Sequence, residues 1–184
     1  TPQKGFDLVQ CVLDELMEEQ DMAFVLLGTG NAEYEDFMRS AEWRHKGRLC
    51  AYIGYDEALS HRVYAGSDFL LMPSSFEPCG LSQMIAMRYG TLPIVRETGG
   101  LRDSVQPYNR FTGEGTGFSF ANFNAYELAE TVRRALALYR DEHDAYLRLQ
   151  RQAMAQDFSF TRSAEDYAHL YPLLLPEDTA PKHD

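Results

Sequence analysis

The stretch from Asp68 to Leu101, DFLLMPSSFEPCGLSQMIAMRYGTLPIVRETGGL, leaves few folds open. Phe69-Leu70-Leu71-Met72 is an apolar run too short for a helix of its own, and Pro73 ends it, so it reads as a buried strand. Ser74, Ser75 and Glu77 form a polar elbow. Pro78-Cys79-Gly80 then starts a helix whose first amides lack partners within the helix and point back at the elbow. An anion sits well at such a place. Thr91-Leu92-Pro93-Ile94-Val95 repeats the design as a second apolar strand, and Glu97-Thr98-Gly99-Gly100 turns tightly into a helix beginning near Leu101. Two strand ends therefore open onto one edge, where ligands of open α/β sheets bind, and one carboxylate, Glu77, stands beside a helix N-terminus. On spacing alone, two ordinary βα loops would look the same.

The flanking sequence keeps the same alternation. Phe6, Val9, Val12, Leu13, Leu16 and Met17 recur at helical spacing and predict an amphipathic helix over residues 6–19, with Cys11 on or near its apolar side. Strands follow at 23–27, closed by Gly28-Thr29-Gly30, at 49–53 and at 117–120. Helices are expected over 32–45 and 56–65, then from a cap at Asn122 or Asn124 to Tyr139, and over 144–156 and 161–170. Pro172 and Pro176 are expected to stop regular structure, leaving residues 1–172 as one domain and 173–184 as a disordered tail. The fold class is α/β: a Rossmann-like three-layer α/β/α arrangement with a parallel sheet covered on both faces.

Among 184 residues the formal charge is −11, which argues against nucleic acid or an anionic membrane surface as partner, since both need a basic face. It does not exclude a phosphate held by local groups. Cys11, Cys50 and Cys79 are odd in number and show no paired spacing, so a reducing, cytoplasmic setting is the simplest reading. The five histidines are scattered and no Asp-X-Asp motif ends a strand, so no metal and no cofactor are expected. LGTGNAEYEDF invites a dinucleotide reading, but Glu33 stands where the third glycine of that fingerprint belongs and would repel a pyrophosphate.

The run PSSFEPCGLSQMIAMRYGTLPIVRETGGLRDSV resembles the C-terminal domain of bacterial glycogen synthases and the related starch synthases, retaining glycosyltransferases of the two-Rossmann-domain (GT-B) architecture. TPQKGFDLV, IGYDEALSHRVYAGSDFLLMPS and RQAMAQDFSFTRSAEDYAHLY resemble the same family in the same order, so the likeness covers nearly the whole chain. It implies transfer of glucose from ADP-glucose to the nonreducing end of an α-1,4-glucan. It also implies roles for single residues. Lys4, which as a lone lysine would simply face solvent, contacts the donor diphosphate. Glu77, otherwise a loop acid, orients the transferred glucose. Cys79, Gly80, Leu81 and Ser82 offer backbone amides, and Ser82 a hydroxyl, while Thr98, Gly99 and Gly100 contribute to the donor pocket. Tyr55 stacks on the base, unless it is a core residue. Many GT-B enzymes carry a second glutamate eight positions after the first; here that position is Ile85, as is normal for this branch.

ADP and UDP stay undecided, since Tyr55 could stack on either ring. Another GT-B glycosyltransferase with a different donor, or a non-catalytic nucleotide-binding module, would share these motifs. Thr1-Pro2-Gln3-Lys4-Gly5 reads as the middle of a loop, so a piece of a longer protein is expected, inactive alone, with the glucan acceptor held by another domain. The family's first C-domain strand, and an arginine upstream of the lysine, would precede Thr1. Without that strand, the neighbours ending at Leu27 and Met72 must close up, take a segment from another copy into an oligomer, or leave the sheet irregular. The apolar side of the last helix is expected to be exposed or used in a packing contact.

Overall fold

The computed structural model describes residues 2–174. A short 3-10 turn, Pro2–Lys4, leads into α1 (Phe6–Glu19), β1 (Phe24–Gly28), α2 (Ala32–Arg44), β2 (Leu49–Ile53), α3 (Glu57–Gly66) and β3 (Phe69–Met72). After these come α4 (Ser82–Tyr89), β4 (Leu92–Arg96), α5 (Gly99–Ser104), β5 (Phe118–Phe120), α6 (Ala125–Asp141), α7 (His143–Met154) and α8 (Phe160–Leu174). The α/β class with parallel strands is the one expected. β1 pairs with β2 from Phe24 opposite Leu49 to Gly28 opposite Ile53; β3 pairs with β4, and β4 with β5.

The strands form two sheets, β1-β2 and β3-β4-β5, and β1 does not pair with β3. Of the outcomes expected there, closing up of β1 on β3 does not occur: within the chain the sheet is interrupted. Between them lies a cavity of about 540 Å³, walled by α1, by β1 from Phe24 to Leu27 and by β3 from Phe69 to Leu71. What spans the break is α1. Leu8, Val12 and Leu16 pack with the core around β4, β5, α6 and α7, while Val9, Leu13 and Met17 pack with Met38, Ala41 and Leu49 beneath β1 and β2. Each set recurs every four residues, so one helix presents a ridge to each sheet.

Several expectations need correction. The elbow does not pass straight into a helix at Pro78: residues 78–81 form an open turn, and α4 begins at Ser82. α5 begins at Gly99 rather than near Leu101. Cys11 is exposed instead of lying on the apolar side of α1. Coverage of both sheet faces is incomplete, because Val25, Cys50 and Tyr52 of the β1-β2 sheet are exposed. Pro172 does not end the last helix, which runs on to Leu174, so Leu173 and Leu174 are helical; residues 175–184 of the expected tail lie outside the described residues. Every residue from Met154 to Leu173 is exposed, as expected for the last helix.

Candidate functional site

The site is built where β3 ends. Its elbow, residues 73–81, is gripped from three sides. From the N-terminal turn, the Gln3 carbonyl accepts hydrogen bonds from the Ser75 amide at 2.8 Å and the Ser75 hydroxyl at 3.2 Å, and Gln3 Nε2 donates to the Phe76 carbonyl at 2.9 Å. Gly5 makes this approach feasible: a Cβ there would lie 2.1 Å from the Pro73 carbonyl oxygen, and its φ of 72° suits glycine. The docking brings Lys4 Nζ to Glu77 Oε2, so two residues far apart in sequence meet as an ion pair.

From the β4 side, the glycine pair packs against the elbow backbone. The Gly100 amide donates to the Glu77 carbonyl at 3.0 Å, and a Cβ on Gly100 would sit 2.0 Å from the Cys79 carbonyl oxygen. A Cβ on Gly99 would sit 2.1 Å from the Glu77 carbonyl oxygen. Arg96, at the end of β4, donates from Nη1 to the Ser75 carbonyl at 3.0 Å while its guanidinium lies 5.7 Å from the Phe123 ring centroid. The glycines thus serve the elbow's shape first.

From beneath, Gln83 is fully buried on the first turn of α4. Its Nε2 donates to the carbonyls of Cys79 at 3.1 Å and Gly80 at 3.0 Å and to Ser104 Oγ at 3.0 Å, and Ser104 Oγ donates to the Gly100 carbonyl. Carbonyls held inward leave the opposite edge of the turn outward. The amides of Cys79, Gly80, Leu81 and Ser82 donate to no group among the described residues, which makes this turn a set of unspent donors at a helix start. The Cys79 thiol is exposed.

The Glu77 carboxylate is mostly enclosed, its residue 8% exposed, and besides Lys4 it accepts from the buried Ser74 hydroxyl at 3.4 Å. Lys4 keeps 48% of its side chain exposed, so a ligand can reach the ammonium. The structure therefore brings together Lys4, Glu77, Cys79, Gly80, Leu81, Ser82, Gly99 and Gly100. Thr98 is the N-cap residue of α5, and its side chain makes no capping bond. Tyr55 stands apart, 86% exposed beyond the end of β2 in the other sheet; the core reading of it is excluded. Sequence reasoning missed Gln3, Gln83, Arg96 and Ser104. No sequence signal pointed to Gln83, because the helix was expected to start at Pro78 and the open turn before Ser82 was not foreseen.

The dinucleotide reading finds no support. The Gly30 amide donates to Glu35 Oε1 at 3.0 Å, so a carboxylate already occupies that turn. No group of three or more His, Cys, Asp or Glu able to hold a metal ion occurs among the described residues, and no helix there is long and apolar enough to cross a membrane.

An open turn with undonated amides and an enclosed carboxylate thus stand together at the strand ends of a parallel α/β domain, the edge where ligands of open α/β sheets bind. The family profile of the group 1 glycosyl transferases matches residues 1–153, and the chain belongs to that family. Among its relatives, glycogen synthase of Geobacillus thermodenitrificans (strain NG80-2) is 53% identical over 178 residues, 97% of this chain and 36% of that protein. Glycogen synthase of Bacillus cereus (strain Q1) is 53% identical over 175 residues, again 36% of its length. The chain thus spans about a third of the relatives it matches. The catalytic domain of starch synthase IV from Arabidopsis thaliana, solved bound to ADP and acarbose, superposes with a TM-score of 0.82 at 37% identity, over 94% of this chain and 36% of that one. Anabaena HepE in complex with UDP-glucose, at 20% identity and a TM-score of 0.66 over 94% of this chain and 46% of that one, shares the fold.

Proposed function

We propose that this chain is the donor-binding part of a glycogen synthase, holding ADP-glucose for retaining transfer of glucose to the nonreducing end of an α-1,4-glucan. The observation that carries the reading is the meeting of Lys4 and Glu77 beside the unspent amides of residues 79–82. A diphosphate fits the ammonium and the amides, which would stabilise the charge left on the departing nucleotide. A sugar beside it would donate hydroxyl hydrogens to the Glu77 carboxylate and so be fixed in orientation. Tyr55 offers an exposed aromatic face for the base. The likeness to a starch synthase solved with ADP, at 37% identity, supports ADP over UDP as the nucleotide. No metal is invoked: Lys4 and the amides carry the phosphate charge. The glucan acceptor is assigned to parts of the relatives beyond the span of this chain, and the chain alone is expected to transfer no glucose.

Calorimetry with ADP, UDP and AMP tests the reading. Lys4→Ala should weaken ADP about tenfold or more, the worth of a charge-assisted contact, and AMP much less. Equal losses for ADP and AMP would place Lys4 away from the distal phosphate. Measured transfer from ADP-glucose to glycogen by this chain at the rate of an intact synthase would overturn the division of labour.

A further inference from the structure

We infer that Glu77 is an internal competitor for Lys4, and that this competition makes the site select an intact nucleotide sugar over the free nucleoside diphosphate. The inference rests on the donor-binding reading above. Lys4 Nζ is bound to Glu77 Oε2, so the cation assigned to the diphosphate already has a partner within the chain. The two partners differ in access. Lys4 is half exposed and can swing to an incoming anion; Glu77 is enclosed and cannot follow it.

A diphosphate arriving at the open amides of residues 79–82 therefore draws Lys4 off Glu77. What it leaves behind is an enclosed carboxylate whose remaining side-chain partner is the Ser74 hydroxyl at 3.4 Å, a long hydrogen bond. An enclosed charge stripped of its counter-ion is costly, and the cost falls on the ligand that caused it. A free nucleoside diphosphate bears that cost in full. A nucleotide sugar brings hydroxyl donors to the same carboxylate and offsets it. The exchange thus couples the two ends of the donor: phosphate binding bares Glu77, and the sugar is rewarded for covering it.

The consequence runs against intuition, because removing the group assigned to the sugar should strengthen binding of the sugarless ligand. The test is calorimetry on the purified 184-residue chain with ADP, ADP-glucose and AMP, using wild type, Glu77→Gln, Lys4→Met and the double variant, with thermal melts to confirm folding. Glu77→Gln is expected to tighten ADP by about fivefold, leave AMP within about twofold, and narrow or reverse the preference for ADP-glucose over ADP. In the Lys4→Met background the gain should shrink, since no ion pair is left to break. A gain as large or larger there would mean simple repulsion between Glu77 and phosphate, and would overturn the exchange. Unchanged or weaker ADP binding by Glu77→Gln would overturn it too, by showing Lys4 shared between both anions. The donor-binding reading fails separately, if Lys4→Met leaves ADP binding intact. Should Glu77→Gln not fold, Glu77→Asp, which shortens the reach to Lys4, is expected to tighten ADP less and in the same direction; a weakened ADP would sink the inference.

Discussion

Gly100 is the residue on which the site's two loops turn. Its amide is spent on the Glu77 carbonyl, and its α-carbon sits where any side chain would strike the Cys79 carbonyl. We expect Gly100→Ala to cost about 1–3 kcal/mol, the usual range for forcing extra volume into a packed contact, and to weaken ADP alongside. Urea unfolding read with calorimetry checks both; an unchanged midpoint with normal ADP binding would show that the elbow accommodates the methyl group. Glu77 and Lys4 were legible in the sequence through their motifs, but their contact was not, because it depends on how the N-terminal turn docks against Ser75 and Phe76. The TGG turn was read as part of the donor pocket. Its close packing on the elbow is a relation between two loops, and no local pattern encodes it.

At the level of elements, the helix periodicities were legible because each buried face repeats at helical spacing, as along α1. Ends were less so. Pro172 is tolerated because it lies in the last turn of an exposed helix, where the hydrogen bond it forgoes can be replaced by water. Removal of residues 157–184 should leave the thermal midpoint nearly unchanged, since α8 buries nothing against the domain among the described residues; a drop of several degrees would reveal a packing role for it. Polar ties between helices were invisible to pattern reading. Asp14 of α1 meets Arg44 and His45 at the end of α2, with His45 Nε2 2.6 Å from Asp14 Oδ1. Burial pulls the Asp14 pKa up, and the hydrogen bonds to His45 and Arg44 outweigh it, leaving it below the ordinary aspartate value. A depressed folded pKa contributes stability that is present above the unfolded value and lost as pH falls through the folded one. Asp68 works in the opposite sense, raised by burial against the pull of His143. Urea midpoints recorded from neutral to acid pH should therefore fall less steeply below about pH 4 in Asp14→Asn than in wild type. Parallel curves would remove Asp14 from the acid response.

For the whole molecule, the break between β1 and β3 sets the expected behaviour. Strand identity was legible from short apolar runs; pairing was not, since a run such as Phe69–Met72 says nothing about which edge it bonds. Alternate amides of β1 and β3 face the cavity and should exchange with solvent hydrogen faster than the amides of β4, which is paired on both sides. Hydrogen exchange followed by mass spectrometry checks this. Equal protection across β1, β3 and β4 would mean that the break is closed in solution.

The same break bears on how far apart the two ends of a donor can be held. Tyr55 follows β2 and Glu77 follows β3, so the aromatic face and the carboxylate belong to different sheets. In an unbroken sheet their separation would be locked by ladder register. Here the element that reaches both cores is α1, with Leu8, Val12 and Leu16 in one and Val9, Leu13 and Met17 in the other, so side-chain packing rather than a backbone ladder couples the two loops. Trimming either ridge is expected to loosen the hold of one loop on the other without altering any residue assigned to a ligand.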